Sequence, residues 1–198
     1  MKILHLIAKY IKYFCKAKNK HSAQSPFLYE FITKVLNKDS NDANCEKIEE
    51  LRKVLCKSKK LITITDFGAG SKVNNSKIRQ VKDIARNSAK NSKFGKLLYR
   101  MIRHYKPKNI LELGTSLGIS TLYLSKANEK SKVYTLEGCT ETASLASHNF
   151  DKMGANNINI TIGEFKNTLK EKLREINTID LAFIDGNHQE EPTIEYFE

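Results

Sequence analysis

The stretch Asn109-Ile-Leu-Glu-Leu-Gly-Thr-Ser-Leu-Gly-Ile-Ser120 decides the fold of this chain. A short apolar run ends in an acidic residue, Glu112, and a glycine turn, and Ser120-Thr-Leu-Tyr-Leu-Ser125 then opens a helix. A second apolar run, Val133-Tyr-Thr-Leu-Glu137, stops at another acidic residue. The pattern predicts a strand–turn–helix–strand unit with a carboxylate at the tip of each strand, which is typical of a nucleoside-cofactor site at the carboxyl edge of a parallel sheet.

The same alternation continues on both sides of this unit. Strands are predicted at 109–113, 132–136, 158–162 and 179–184, and helices at 94–105, 118–127, 140–152, 165–175 and from about Pro192. Strands that alternate with helices specify a parallel sheet with right-handed crossovers. The predicted fold class is therefore α/β, a Rossmann-like sheet with its first four parallel strands present and an α-helical N-terminal extension.

The composition of the turn between Gly114 and Gly118 distinguishes between nucleoside cofactors. A dinucleotide fingerprint has glycine where this chain has Ser116, whose Cβ would obstruct the approach of a diphosphate. The charge of Glu112 would also repel a diphosphate but attract a cation. S-adenosylmethionine carries an ammonium and a sulfonium and has no phosphate, so we expect it as the cofactor.

The expected contacts with this cofactor follow from the chemistry of each side chain. Glu112 would hold the amino group, and Glu137 would accept hydrogen bonds from both ribose hydroxyls. The amides and hydroxyls of Thr115, Ser116 and Ser120 would face the carboxylate at a helix N-terminus. The alternative is a sheet whose strand ends happen to be acidic.

These motifs resemble the class I S-adenosylmethionine-dependent methyltransferases, and among them the small O-methyltransferases of the catechol and caffeoyl-CoA type. The resemblance runs from about Lys93 to the last residue. Its segments stand in the family's order, namely Lys96-Leu-Leu-Tyr-Arg100, Lys106-Pro-Lys-Asn-Ile-Leu-Glu-Leu-Gly-Thr115, Ser147-His-Asn-Phe150 with Met153-Gly154, Thr161-Ile-Gly-Glu164 and Ala182-Phe-Ile-Asp-Gly-Asn-His188. The resemblance implies methyl transfer to a small hydroxylated molecule.

The resemblance also assigns roles after the third and fourth strands. Gly163 and Glu164 match the loop where the family places an acidic residue near the adenine. Asp185 matches the aspartate that the family keeps beside the methyl group and often on a divalent metal such as magnesium, so we expect it to bind a metal or to orient the acceptor. His188 is the candidate base, and the alternative is a surface histidine that caps the next helix. Because Gly186-Asn187-His188 replaces the family's usual run ending in lysine, metal dependence stays open.

Charge divides the chain into two unlike parts. Residues 1–108 hold 26 lysines and arginines against 8 acidic residues, whereas 109–198 hold 8 against 14. The basic part could bind nucleic acid or an anionic membrane surface, and the alternative is the lysine-rich composition of an AT-rich organism. Only 6 of the 34 basic residues are arginine, whereas base reading favours arginine.

Three functional hypotheses follow. The first is methyl transfer to a small-molecule acceptor. The protein could also form a homodimer. The second is a basic nucleic-acid or membrane-associated module that retains the cofactor fold without catalysis. The third is another nucleoside enzyme, such as a polyamine synthase or dehydrogenase, which Ser116 and Glu112 disfavour.

Residues 1–93 are predicted to form a basic helical region. Residues 2–18 form an amphipathic helix, apolar on one face and basic on the other, that would dock on the body of the protein or lie on a membrane. A second helix is predicted to begin at Ser25-Pro26 and a third at Glu46. Residues 61–93 are predicted to be a glycine-hinged, lysine-rich connection, with a lid over the active site as one interpretation.

Composition favours a cytoplasmic protein. The four cysteines form no Cys-x-x-Cys pair and have no zinc spacing, and no apolar run approaches the length of a membrane span. The resembled fold has seven strands, but only four are predicted in the cofactor-binding domain, 94–198. We therefore expect a chain that is incomplete at its C-terminus, lacks much of the acceptor pocket and is catalytically poor.

Overall fold

The computed structural model describes most of the chain in several segments. These are residues 6–7, 9–10, 12–13, 25–38, 42–65, 77–87, 89–187 and 189–196. The chain forms two compact units, Met1–Asp39 and Ser40–Glu198. The predicted boundary after residue 93 separates the basic N-terminal region from the predicted cofactor-binding domain. This boundary stays a prediction.

Among the described residues of the first unit, all regular structure is helical. The described residues between 6 and 13 are helical, in agreement with the helix predicted over 2–18. Helix α1 (Pro26–Glu30) is capped by Ser25, whose hydroxyl accepts a hydrogen bond from the Leu28 amide at 3.4 Å. The chain then continues in π-helical turns at Phe31–Leu36. The predicted start at a serine cap followed by proline is confirmed.

The second unit contains a two-stranded and a four-stranded sheet with helices around them. Its elements are, in order, α2 (Ala43–Leu55), β1 (Leu61–Thr63), β2 (Ile78–Gln80), α3 (Val81–Asn87), α4 (Ser92–Tyr105), β3 (Asn109–Leu113), α5 (Ile119–Ala127), β4 (Lys132–Glu137), α6 (Thr140–Lys152), β5 (Ile158–Ile162), α7 (Phe165–Ile176), β6 (Leu181–Ile184) and α8 (Glu190–Glu195). The elements predicted from residue 94 onward are all present, with ends that differ by one or two residues.

Strands β3 to β6 form one parallel sheet in the order β5-β4-β3-β6. Side chains of the central strand β3 alternate between two hydrophobic clusters, with Ile110 in one and Leu111 and Leu113 in the other. The first cluster also contains residues of α4 and α5, and the second contains Leu169 and Ile176 of α7. Helices therefore cover both faces of the sheet, as parallel strands require, and the predicted Rossmann-like α/β fold is confirmed.

Residues 61–93 differ from the predicted connection. Strands β1 and β2 pair antiparallel, with Leu61 opposite Gln80, and α3 follows directly. Ile62, Val81 and Ile84 are buried in the same cluster as Ile110 of β3. Sequence reasoning missed these elements because three-residue strands are too short to show a period, and their pairing depends on tertiary contacts. The central part of the predicted lid, 66–76, lies outside the described residues.

Two further observations bear on the expectations drawn from composition. No helix in the described part of the chain is long and apolar enough to cross a membrane. The cysteines that the structure describes, Cys45, Cys56 and Cys139, are free thiols. Burial raises the pKa of the Cys45 thiol to about 11, so this group is a protonated core residue at neutral pH.

Candidate cofactor and acceptor site

Glu112 lies near the carboxyl end of the central strand β3 and is fully buried. Its Oε2 accepts hydrogen bonds from the hydroxyls of Thr121, at 2.5 Å, and Thr135, at 2.7 Å. Its Oε1 is buried and has no hydrogen-bond partner among the described residues. Buried carboxylate oxygens are normally paired because their desolvation is costly. The unpartnered oxygen is therefore a ready acceptor for a donor group of a ligand.

Burial raises the pKa of Glu112 to about 7. The nearby hydroxyls of Ser120, Thr121 and Thr135 lower this pKa, whereas the negative charge of Asp185 raises it. The Ser120 hydroxyl is close enough to act on this pKa, although Oε1 has no hydrogen-bond partner among the described residues. A cation placed against Oε1 would favour the ionised carboxylate, so this site is chemically suited to an ammonium group.

Thr115 takes part in the buried hydrogen-bond network around Glu112 and is not exposed at the surface. Its hydroxyl is buried and lies 2.6 Å from the hydroxyl of Thr135, which in turn donates to Glu112. The amides of Gly114 and Thr115 both donate to the carbonyl of Leu136, at 2.9 and 3.3 Å. The start of the turn is thus fixed from β4, and the Thr115 hydroxyl is engaged inside the protein.

The second half of the turn packs closely on helix α6. Gly118 has φ +79°, and a Cβ at this position would collide with the ring of Phe150. The side-chain amide of Asn149 donates to the carbonyl of Leu117 at 2.9 Å. Only glycine combines this backbone conformation with this close approach. The turn and the N-terminus of α5 are therefore held in one position by α6.

Glu137 ends β4 and reaches back to the turn. Its Oε2 accepts the Ser116 amide at 2.7 Å, and its Oε1 accepts the Cys139 amide at 2.9 Å. Each carboxylate oxygen has a second lone pair, and Glu137 is partly exposed. The side chain is therefore oriented by the backbone and can still accept hydrogen bonds from a diol.

The loop after β5 meets the tip of β4. The Gly163 amide donates to the carbonyl of Glu137 at 2.9 Å. Gly163 has φ +146°, and a Cβ there would lie 2.8 Å from the methyl group of Thr168. Glu164 is the N-cap residue of α7, and its carboxylate lies 3.1 Å from the ammonium of Lys166. Gly163 and Glu164 thus stand at the same sheet edge as the strand-tip acids.

Asp185 follows β6 and lies against the turn after β3. Its amide donates to the carbonyl of Leu113 at 2.8 Å. A Cβ on Gly114, which has φ +102°, would lie only 2.7 Å from the Asp185 carbonyl oxygen. Asp185 Oδ1 is 2.7 Å from the ammonium nitrogen of Lys90. The structure therefore brings Glu112, the glycine turn and Asp185 together at the carboxyl edge of the sheet.

A divalent metal at Asp185 does not fit the donors that the structure describes. Among the residues that the structure describes, no group of three histidine, cysteine, aspartate or glutamate side chains is arranged to hold a metal ion. One oxygen of Asp185 is instead paired with the ammonium of Lys90. Lysine in its charged form repels a cation and offers no lone pair for coordination. His188, the predicted base, lies outside the described residues.

Three residues of the site were missed by sequence reasoning. Thr135 stands opposite Glu112 in the β3–β4 register, and its position two residues before Glu137 indicates the same face of the strand. Thr121 lies in the first turn of α5, where a hydroxyl can meet the preceding strand tip. Lys90 is preceded by no motif that would identify it, because its contact with Asp185 exists only in the folded chain.

Comparison with known protein families identifies one match to a domain family. Residues 111–198 match the model of a family described as a methyltransferase domain. The catechol O-methyltransferase of Niastella koreensis is 34% identical over 107 residues, which cover 52% of this chain and 48% of that protein. The chain therefore spans about half the length of the curated relative that it matches.

Solved structures share the fold at lower sequence identity. The O-methyltransferase TomG of Streptomyces achromogenes, in complex with SAM, has a TM-score of 0.54 and 20% identity, with 91% of this chain and 67% of that chain covered. An O-methyltransferase of Bacillus cereus, in complex with SAH, has a TM-score of 0.54 and 19% identity, with coverage of 85% and 64%. SAH-bound PaMTH1 of Podospora anserina has a TM-score of 0.54 and 20% identity, with coverage of 86% and 60%. These likenesses support the same Rossmann-like architecture.

Proposed function

We propose that this protein, in which residues 111–198 match the model of a methyltransferase domain family, binds S-adenosylmethionine and transfers its methyl group to a hydroxyl of a small molecule. The observation that carries the proposal is the Oε1 of Glu112, which is buried at a strand tip beside a glycine turn and has no partner among the described residues. A buried anion with one free oxygen suits an amino group. The absence of the second fingerprint glycine disfavours a dinucleotide.

The residues at the sheet edge fit the parts of this cofactor. Glu112 Oε1 would accept a hydrogen bond from its ammonium, and Gly114 and Gly118 provide surface that a Cβ would fill. Glu137, oriented by two backbone amides, would receive the ribose hydroxyls. Glu164 would lie near the adenine.

The bound cofactor would supply a methyl group on a sulfonium, which is a good leaving group. The chain must then place the acceptor oxygen in line with that methyl group and remove the hydroxyl proton. Asp185 is the expected orienting group, because its backbone lies against the glycine turn. His188 is the proposed base, since an imidazole titrates near neutral pH.

A hydroxylated ring is the acceptor class that the relatives favour. One relative is named a catechol O-methyltransferase, and two of the structural neighbours are named O-methyltransferases. The acceptor is therefore proposed to be a small phenol or catechol, with methylation on oxygen.

Binding and turnover test the proposal separately. Calorimetry should detect saturable binding of S-adenosylhomocysteine and no comparable binding of NADH. Transfer of a labelled methyl group from S-adenosylmethionine should then be measured against phenols, catechols and sugars. Failure to bind S-adenosylhomocysteine would overturn the proposed function. Binding without transfer to any hydroxylated acceptor would instead favour a module that retains the cofactor site without catalysis.

A further inference from the structure

We propose that Lys90 supplies the fixed positive charge at Asp185, and that its ammonium binds the acceptor oxygen without a divalent metal. The inference rests on the proposed function, because it concerns the acceptor side of the same site. It adds Lys90 to the proposed site, and it predicts how many hydroxyls the acceptor needs.

The contact between Lys90 and Asp185 is the first support. The Lys90 ammonium nitrogen lies 2.7 Å from Asp185 Oδ1, a distance typical of a charge-assisted hydrogen bond. The Asp185 side chain is 13% exposed, whereas the Lys90 side chain is 37% exposed. The aspartate side chain is thus largely enclosed, and the lysine side chain is more exposed than its partner. An ammonium has three donors, so two remain beyond the one directed at Asp185.

The backbone on both sides of Lys90 is anchored, which distinguishes this lysine from an ordinary surface lysine. Asn91 is the N-cap of α4, and its side chain accepts the Phe94 amide at 2.9 Å. On the other side, the Ala89 amide donates to the carbonyl of Ile84 at 3.3 Å. These contacts fix the backbone on both sides of the lysine, and the ion pair with Asp185 directs its ammonium toward the sheet edge.

The local charges favour a cation at this point. Glu112 and Asp185 are close enough for the negative charge of Asp185 to affect Glu112. Lys90 offsets one of these two negative charges when it pairs with Asp185. A divalent ion at this oxygen of Asp185 would have to displace the ammonium, which itself has no lone pair for coordination.

The transfer can be balanced with these groups. The acceptor oxygen forms a bond to the methyl carbon with one of its electron pairs, and the carbon–sulfur bond breaks with its pair left on sulfur. The hydroxyl proton passes to a water molecule. Lys90 keeps its protons throughout and donates a hydrogen bond to the acceptor oxygen, which fixes its position and stabilises negative charge on it.

This arrangement changes the expected acceptor. A divalent ion has several coordination positions and can chelate two neighbouring hydroxyls. An ammonium donates each hydrogen bond to a single oxygen. One hydroxyl is therefore sufficient for binding, and phenols with a single hydroxyl should be methylated as well as catechols, with kcat/KM values within about tenfold of each other.

Two measurements test whether the protein uses a divalent metal, one of metal binding and one of turnover. Calorimetric titration with MgCl2 or MnCl2 should give no saturable binding. EDTA should leave turnover unchanged, and added Mg²⁺ should not stimulate it. Saturable Mg²⁺ binding that is lost in Asp185→Asn would overturn the inference, even if no acceptor in the panel is turned over. Turnover that EDTA abolishes and Mg²⁺ restores would also overturn it, while the proposed function would stand.

Variants of Lys90 test its role directly. Lys90→Met should keep S-adenosylhomocysteine affinity within a few-fold but lower kcat/KM for the acceptor roughly 100-fold or more, because one charged donor to the reacting oxygen is lost. Lys90→Arg, which keeps the charge, should recover much of this loss. Lys93→Met is the matched control, since Lys93 is an exposed lysine in the first turn of α4, and it should leave both quantities unchanged. Wild-type kcat/KM in Lys90→Met would overturn the inference, whereas loss of S-adenosylhomocysteine binding by the wild type would overturn the proposed function and this inference together.

Discussion

Glu137 holds the backbone of Ser116, with its Oε2 2.7 Å from the Ser116 nitrogen. Ser116 has φ +49°, a conformation that is uncommon for residues with a Cβ. The hydrogen bond joins the tip of β4 to the turn after β3. A single carboxylate therefore both stabilises the shape of the turn and, in the proposed function, receives the ribose.

Glu137→Ala should weaken binding of S-adenosylhomocysteine. Loss of a charge-assisted hydrogen bond costs about 1.5–3 kcal/mol, which corresponds to roughly tenfold to a hundredfold in affinity. Calorimetry measures the change, and a thermal melt shows whether the variant is folded. Glu137→Gln keeps one acceptor oxygen, so its affinity should lie between those of the wild type and Glu137→Ala. Equal affinity for the wild type and Glu137→Ala would show that the ribose site is elsewhere.

Glu112→Gln should change how stability depends on pH. The pKa of Glu112 is raised from 4.5 to about 7 by burial, so the folded state holds a proton that the unfolded chain releases. Stability from this group is present at low pH and is lost as pH rises from about 4.5 to about 7, with a total loss of about 3 kcal/mol. A glutamine at position 112 does not titrate, so the variant does not lose stability in this way as pH rises.

Urea denaturation at pH 5 and pH 8 checks this difference. The stability of Glu112→Gln relative to the wild type should be higher at pH 8 than at pH 5. Glu171→Gln changes an exposed carboxyl group and should show no such trend. A pH-independent difference for Glu112→Gln would indicate that this carboxyl group does not titrate in the range stated.

Cofactor binding should release a proton from Glu112 near neutral pH. An ammonium at Oε1 favours the ionised carboxylate, so binding lowers the pKa of Glu112 from about 7. The affinity for S-adenosylhomocysteine should therefore rise as pH increases from 6 to 8. Calorimetry in two buffers of different ionisation enthalpy measures the released proton. An affinity that falls over this range would contradict the proposed contact.

Gly118→Ala should damage both stability and cofactor binding. The new methyl group would collide with the Phe150 ring, and φ +79° is strained for alanine. Gly154→Ala is the matched control, because Gly154 has φ +59° and nothing within 4 Å of its Cβ position. We expect the control to lose about 1 kcal/mol of stability from strain alone and to keep its affinity. Gly118→Ala should lose more stability, and calorimetry should show weaker S-adenosylhomocysteine binding.

Deletion of residues 1–20 should leave cofactor affinity within a few-fold, because it removes no strand-tip group. Calorimetry of the shortened protein with S-adenosylhomocysteine measures this. Titration with DNA, RNA and anionic vesicles at two salt concentrations tests the basic region directly. Tight binding with a steep salt dependence that disappears on deletion would favour the nucleic-acid or membrane module instead.

The local pattern was sufficient to predict the sheet and the strand-tip acids. The apolar runs ending at Glu112 and Glu137, with glycines between them, predict the parallel unit because strand period and turn chemistry are local properties. The strands predicted at 109–113 and 158–162 match β3 and β5. By contrast, β1 and β2 were not predicted, since neither is long enough to show a period.

The sequence by itself determined which residues stand at the carboxyl ends of the strands. Only the tertiary structure decided what each of them contacts. Register placed Thr135 against Glu112, and burial raised the pKa of Glu112 and left its Oε1 without a partner in the part of the chain that the structure describes. Packing of the segment before α4 brought Lys90 to Asp185. Such contacts join residues far apart in the chain, and they depend on helix packing and desolvation, which a local sequence pattern does not encode.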